Sequence, residues 1–177
     1  MLFESTRVSF RKMTEEDVSV YHGWRNDLEV MRTTNPFIDM SSFADTKDFV
    51  EHVILGASTS KTYMILDKNS QKPIGVTSLI QIDHKNRNAE CIIDIGDKEF
   101  WGKGYGKEAL KLLLDYAFLE MNLHRVSLRV FSFNEKAIHL YKKLGFEQEG
   151  TSRQAIFREG KWHDIIHMGI LQHQYIN

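Results

Sequence analysis

Hydrophobic positions along the chain follow two periods, and their order predicts a mixed α/β fold. Val8 to Lys12 alternates as a strand ending at Thr14. Thr14-Glu15-Glu16-Asp17 reads as an N-cap with an acidic first turn, opening a helix towards Trp24. Asn35-Pro36 breaks the pattern. Ser41 or Ser42 caps a second helix, with Phe43, Phe49, Val50, Val53 and Ile54 at roughly helical spacing. Thr62 to Leu66 and Ile74 to Gln81 are strands flanking the polar turn Asp67 to Lys72. A second polar turn, Asp83 to Asn88, leads into the strand Ala89 to Ile95.

A long helix is expected from near Gly104 to about Glu120, with Ala109, Leu113, Tyr116, Ala117 and Met121 on one stripe. Arg125 to Phe131 alternates again through Val126, Leu128 and Val130. Asn134 caps a last helix whose inner face carries Ala137, Leu140, Tyr141 and Leu144, and Gly145 ends it. Two strands, about Phe146 to Phe157 and Trp162 to Leu171, meet at Glu159-Gly160. The order is β-α-α-β-β-β-α-β-α-β-β. The crossover from Ala89 to Phe131 implies one parallel strand pair, and the other neighbours read as antiparallel. The expected fold is one three-layer α/β domain spanning residues 1–177, with a mostly antiparallel central sheet flanked by helices.

Composition narrows the class. The chain has 177 residues, 42% hydrophobic and 27% charged, with a formal net charge of -1. That balance argues against broad electrostatic binding of nucleic acid. Cys91 is the single cysteine, so no intrachain disulfide forms, and its apolar strand makes it a core residue rather than a nucleophile. No apolar run approaches the ~18 residues of a membrane span. The N-terminus lacks the basic-then-apolar layout of a signal peptide, so a soluble cytoplasmic protein with no membrane partner is expected.

The densest chemical signal is Phe100-Trp101-Gly102-Lys103-Gly104-Tyr105-Gly106-Lys107, between a strand and a helix. Alternating glycines permit tight turns and close approach by another molecule. Free amides in a helix's first turn, at the positive end of its dipole, form an anion site, and Lys103 and Lys107 add charge. The run therefore suits phosphate or pyrophosphate. It also suits a strand-to-helix turn with no ligand. It is neither a P-loop nor a Gly-x-Gly-x-x-Gly fingerprint. His163 and His167 lie four apart on a strand, too far for a helical zinc pair, so no metal is expected.

Two motifs resemble those of the GNAT superfamily of acetyl-coenzyme A-dependent N-acetyltransferases. Ile95 to Gly106 is similar to the family's pyrophosphate loop, with Trp101 where Gln or Arg is common. Asn134 to Phe146 is similar to its Asn-x-x-Ala-x-x-x-Tyr-x-x-x-Gly-Phe segment. The Trp-Gly-Lys-Gly-Tyr run resembles the branch containing spermidine/spermine and ribosomal-protein N-terminal acetyltransferases. The C-terminal half leans towards the polyamine enzymes. The stretch Met31 to Asp39 carries one acidic residue, Asp39, with Asp27 and Glu29 nearby, where polyamine enzymes of this type carry an acidic cluster.

The resemblance implies roles residue by residue. Amides from Trp101 through Gly102, Lys103, Gly104, Tyr105, Gly106 and Lys107 hold the pyrophosphate of acetyl-CoA. The strand edge at Ile93, Asp94 and Ile95 pairs with the pantetheine arm. Asn134, Lys136 and Ala137 complete the cofactor site, and Asn134 serves equally as a helix cap. Tyr141 is the general acid on the cofactor sulfur, although its stripe also suits a core tyrosine. Glu90 is the candidate base, through a water, or else a surface carboxylate paired with Lys85 or Arg87. Asp94, on the same strand face, is held in reserve. Trp24, Phe37, Phe133 and Phe157 are candidates to line an acceptor pocket or fill core. The implied reaction moves acetyl to a primary amine, foremost a polyamine or diamine. A peptide N-terminus and a non-catalytic coenzyme A sensor are the alternatives, and homo-oligomers occur in the polyamine branch.

Overall fold

The computed structural model describes residues 2–177. Seven strands form one sheet in the order β1-β2-β3-β4-β5-β7-β6, with β1 (Val8–Lys12), β2 (Lys61–Asp67), β3 (Pro73–Asp83), β4 (Asn88–Ile95), β5 (Arg125–Phe131), β6 (Glu147–Arg158) and β7 (Lys161–Leu171). Every pairing is antiparallel except β4 with β5, as the crossover rule requires.

Side chains leave β2 on both faces into apolar surroundings. Tyr63 and Ile65 join the cores under the long helix α4 (Tyr105–Asp115), while Met64 and Leu66 join a second core with Val18 of α1 (Val18–Arg25) and Val50. A strand buried on both sides reads as a continuous apolar run, which is how Tyr63 to Leu66 appears in the sequence. On the first face α4 contributes Leu110, Leu113 and Leu114. The helix α5 (Glu135–Lys143) rests Ala137, Ile138 and Tyr141 against that same core.

Element boundaries agree with the sequence reading, with four differences. A helix α2 (Leu28–Thr34) precedes the Asn35-Pro36 break; Asp27 caps it, accepting from the amides of Glu29 and Val30 at 3.0 and 3.4 Å. A C-terminal helix α6 (Gln172–Ile176) closes the chain. Both are too short for an apolar period to register. Ser42 does cap α3 (Phe43–Asp48), but the continuation Phe49–Ile54 widens to a π-helix, as does Tyr116–Glu120 after α4. Tyr116 and Met121 are only partly buried, whereas Leu112, Leu114 and Phe118, off the expected stripe, are buried. The helix is enclosed over more of its circumference than a single stripe allows.

The parallel pair is short. Asn88, Ala89 and Glu90 face Arg125, Val126 and Ser127, and there the pairing stops. From Ile92 to Ile95 the β5-facing edge of β4 has no strand partner. The two strands separate, and an opening lies between them.

Candidate active site

The glycine run forms the turn into α4. Asp97 accepts the Glu99 amide at 3.0 Å and starts a short 3-10 turn, Lys98–Phe100. Gly102 and Gly104 then take φ of +69° and +85°, conformations that disfavour any side chain. Gly104 is the N-cap of α4, so the helix's first free amides open onto this loop. A Cβ at Gly102 meets nothing within 4 Å, leaving the loop open on that side.

Arg7 holds the loop from below. Its Nη1 donates to the Lys103 carbonyl at 2.9 Å, its Nε to Glu108 at 2.9 Å, and its guanidinium lies 4.5 Å from the Tyr105 ring centre. Glu108 sits in the first helical turn. Burial works to raise its pKa, but hydrogen bonds from Ser5 and Arg7 prevail and hold its carboxyl below the usual range. The Tyr105 ring turns inward, packing on Phe100 and donating to Asp67 at 3.2 Å, so only its backbone faces the loop. Lys103, Lys107 and Lys136 are exposed and line neither of the cavities at β4.

Two cavities meet at β4. The first, about 430 Å³, fills the opening between β4 and β5. Ile93, Asp94, Ile95, Trp101 and Gly106 line one side of it, and Asn134, Ala137 and Tyr141 the other. Trp101 donates its indole N–H to the Ile95 carbonyl at 2.7 Å, tying the loop to the free strand edge. Asn134 caps α5 through the Ala137 amide at 3.3 Å while still facing the cavity, so cap and site roles coincide. Glu90 lines the same cavity, but its carboxylate accepts from Arg129 at 2.9 Å rather than from Lys85 or Arg87.

The second cavity, about 570 Å³, lies on the other side of β4. Tyr21, Trp24, Val30, Met31 and Val76 give it an apolar wall, and Thr59, Ser60, Ser78 and Gln81 a polar one. Of the four aromatics suggested by sequence only Trp24 reaches it. Phe37 is 81% exposed, Phe133 packs on Phe131 and His163, and Phe157 packs on Trp162.

Thr34, Ile92 and Asp94 line both cavities and form their junction. Burial pushes the Asp94 carboxyl up to about 7. Burial, with the nearby Asp94 charge adding to it, raises the Tyr21 phenol to about 12. Tyr141 is raised further, by burial first and then by Cys91 and Asp94. The junction thus gathers one carboxyl poised near neutrality and two phenols that keep their protons. The Cys91 thiol beneath it is buried and pushed up to about 12, which leaves it inert.

Residues 7–147 match the family profile described as the acetyltransferase (GNAT) domain. The chain belongs to the GNAT acetyltransferase family. This GNAT enzyme is 34% identical over 174 residues to the spermidine N(1)-acetyltransferase of Escherichia coli K12, covering 96% of this chain and 88% of that one. The spermidine N-acetyltransferase of Vibrio cholerae, solved with CoA and spermine, superposes with a TM-score of 0.87 at 29% identity, covering 98% of this chain and 100% of that one. A dodecameric structure of the same Vibrio enzyme gives a TM-score of 0.80 at 29% identity, covering 98% of each chain.

As a GNAT enzyme the chain is an acetyl-CoA-dependent N-acetyltransferase. The residues present fit that cosubstrate: a free strand edge, an open glycine loop under a helix N-terminus, and a slot leading from them to Tyr141. Sequence reasoning missed Tyr21 of α1 and Met31 and Thr34 of α2, which line these cavities only once the two helices pack together. The sole signal for Met31 and Thr34 was their place between the first helix and the Asn35-Pro36 break, and Tyr21 gave none beyond lying in that helix.

Proposed function

We propose that the enzyme moves the acetyl group of acetyl-CoA directly to a primary amine of a small polyamine or diamine. The observation that carries this reading is Asp94, standing where the cofactor slot opens into the acceptor cavity. When bound, acetyl-CoA supplies an activated thioester. The amides of residues 101–107 hold its pyrophosphate, and the edge Ile93–Ile95 aligns its arm. Asp94 takes the proton from the incoming ammonium. An alkylammonium has a pKa of about 10.4, and raising the accepting carboxyl from 3.8 to about 7 lessens the cost of that transfer by about 4 kcal/mol. Tyr141 stays protonated until the thioester breaks and gives its proton to the departing sulfur; the second N–H proton that the amine loses on becoming an amide restores the phenol. Glu90, ion-paired and facing only the cofactor slot, braces the point where β4 and β5 part, so the base role passes to Asp94.

Two features support the acceptor class. The relatives named above act on spermidine, and the cavity offers one carboxylate for a reacting ammonium beside an apolar wall suited to a methylene chain. Asp27 and Glu29 are held at the surface, each 3.0 Å from Lys98. Thiol release with spermidine, spermine, diamines, amino acids, aminoglycosides and short peptides tests the reading. We expect kcat/KM for the best polyamine or diamine to exceed that for any peptide about tenfold or more, the equivalent of 1.4 kcal/mol. Turnover confined to peptides would move the enzyme to N-terminal protein acetylation.

The glycine loop makes a separate prediction. Valine at Gly104 would hold a branched side chain at φ +85° with its Cβ 3.1 Å from Arg7 Nη2. The left-handed backbone alone costs roughly 1–2 kcal/mol. Gly104→Val is expected to weaken CoA binding about tenfold by titration calorimetry. Unchanged affinity would detach this loop from the cofactor.

A further inference from the structure

Arg158 ends β6 and carries a guanidinium that is almost wholly enclosed, the residue being 6% exposed. It makes no ion pair among the described residues. Its Nη1 donates to the Arg32 carbonyl and its Nη2 to the Asn35 carbonyl at 2.5 Å. Its face lies 5.7 Å from the ring centre of Phe131 and 5.9 Å from that of Phe133. Arg32 is in the last turn of α2 and Asn35 is that helix's C-cap. Carbonyls there lack partners within the helix and carry the negative end of its dipole, so a cation donating to both is a favourable cap.

The end of α2 is also a wall of the active site. Thr33, Thr34 and Pro36 line the cofactor slot, and Thr34 and Asn35 the acceptor cavity. Arg158 lines neither. Val30 and Met31 anchor the body of α2 in the core and Arg32 also pairs with Glu159 at 3.2 Å, but hydrogen bonds in the segment that follows Asn35 are local. Phe37 and Met40 are 81% and 82% exposed, and the next tie along the chain is Ser41, held by Asn26 at 2.8 and 3.1 Å.

We infer that Arg158 is a positioning residue for the acceptor: it caps α2 and fixes the wall at which the two cavities join, without touching either substrate. The inference rests on the amine-acceptor reading of that cavity. Its effect is transmitted through Thr34, which lies between Arg32 and Asn35 and lines both cavities together with Asp94. A methionine in its place keeps the apolar stem against Phe131 and Phe133 and removes both donors. A lysine keeps charge and stem but cannot span two carbonyls as a planar fork does.

The test compares Arg158→Met and Arg158→Lys with the wild type, using acetyl-CoA and the amine that the wild type turns over fastest. In Arg158→Met the acceptor KM is expected to rise about tenfold or more and kcat to fall severalfold, the loss that a displaced positioning group produces. CoA affinity stays within about threefold, because the glycine loop lies on another element. Amide exchange of residues 33–38 accelerates while β2 to β4 stay protected, and Arg158→Lys recovers part of each change. Glu159→Gln, which breaks only the exposed 3.2 Å pair with Arg32, is the control and should behave as wild type. Unchanged acceptor KM and kcat in Arg158→Met would overturn the inference. So would equal losses of acceptor and CoA affinity with exchange accelerated throughout the sheet, the signature of a merely stabilising residue. Should Arg158→Met not fold, Arg158→Lys alone carries the same comparison. The exchange and CoA readouts need no amine, so they separate a failed clamp from a wrongly assigned acceptor.

Discussion

Replacing Tyr141 with phenylalanine is expected to lower kcat about a hundredfold to a thousandfold while CoA affinity changes less than about threefold. A positioned general acid contributes roughly 10² to 10⁴ in rate, and the hydroxyl is all that the substitution removes. The ring stays against Phe146, 5.9 Å away between centres, so packing and fold are kept. Burial and the neighbouring Cys91 and Asp94 raise the phenol above its ordinary value of 10.0. Tyr141 is therefore a filled proton donor across the working range, and the wild-type rate should show no fall attributable to it below about pH 10. Steady-state thiol release with calorimetric CoA binding reads both quantities. Equal turnover in the two proteins would remove Tyr141 from the mechanism and leave it a core tyrosine.

Asp94→Asn should cost a similar factor and also reshape the pH profile. With Asp94 as base, the wild-type rate rises as the carboxyl ionises, with an apparent pKa near 7, and that limb disappears in the variant. The stability effect has the opposite sense. Burial raises the folded-state pKa from 3.8 to about 7, so the native state favours the protonated carboxyl. Its stabilisation is complete below about pH 3.8 and is lost as pH rises through 7. At pH 8 the wild type carries a charge that the fold disfavours, and the asparagine variant does not. The shift converts to about 4 kcal/mol at most, and the partial exposure of Asp94 reduces the expected gain to on the order of 1–2 kcal/mol. Asp94→Asn should therefore melt higher than wild type at pH 8 and at the same temperature at pH 3.5. A variant that is both fully active and no more stable at pH 8 would return the base role to Glu90.

The contrast between those two carboxylates shows where sequence reading runs out. Glu90, Ile92 and Asp94 alternate onto one face of β4, and nothing in that alternation ranks them. Their difference comes from the length of the β4–β5 pairing. It stops at Glu90 and Ser127, which leaves Glu90 beside Arg129 and places Asp94 in the opening beyond. The second cavity was illegible for a related reason. Tyr21, Trp24, Met31, Thr34 and Val76 belong to three elements, and only Trp24 was singled out by residue type. Of the aromatics weighed between pocket and core, Phe37, Phe133 and Phe157 line neither cavity.

What the sequence determined by itself was local: strand order and the longer helices, the glycine turn into α4, the Asn134 cap with Tyr141 seven residues on, and membership in an acetyl-transferring family. Each depends on neighbours a few residues apart, where period, capping and turn chemistry act. Tertiary structure alone decided which carboxyl stands where the two cavities join, which side chains wall the second cavity, and that Arg158 caps a helix more than a hundred residues earlier in the chain. Those outcomes depend on desolvation and on partners brought together by the sheet, and neither is encoded in the spacing of residues along a strand.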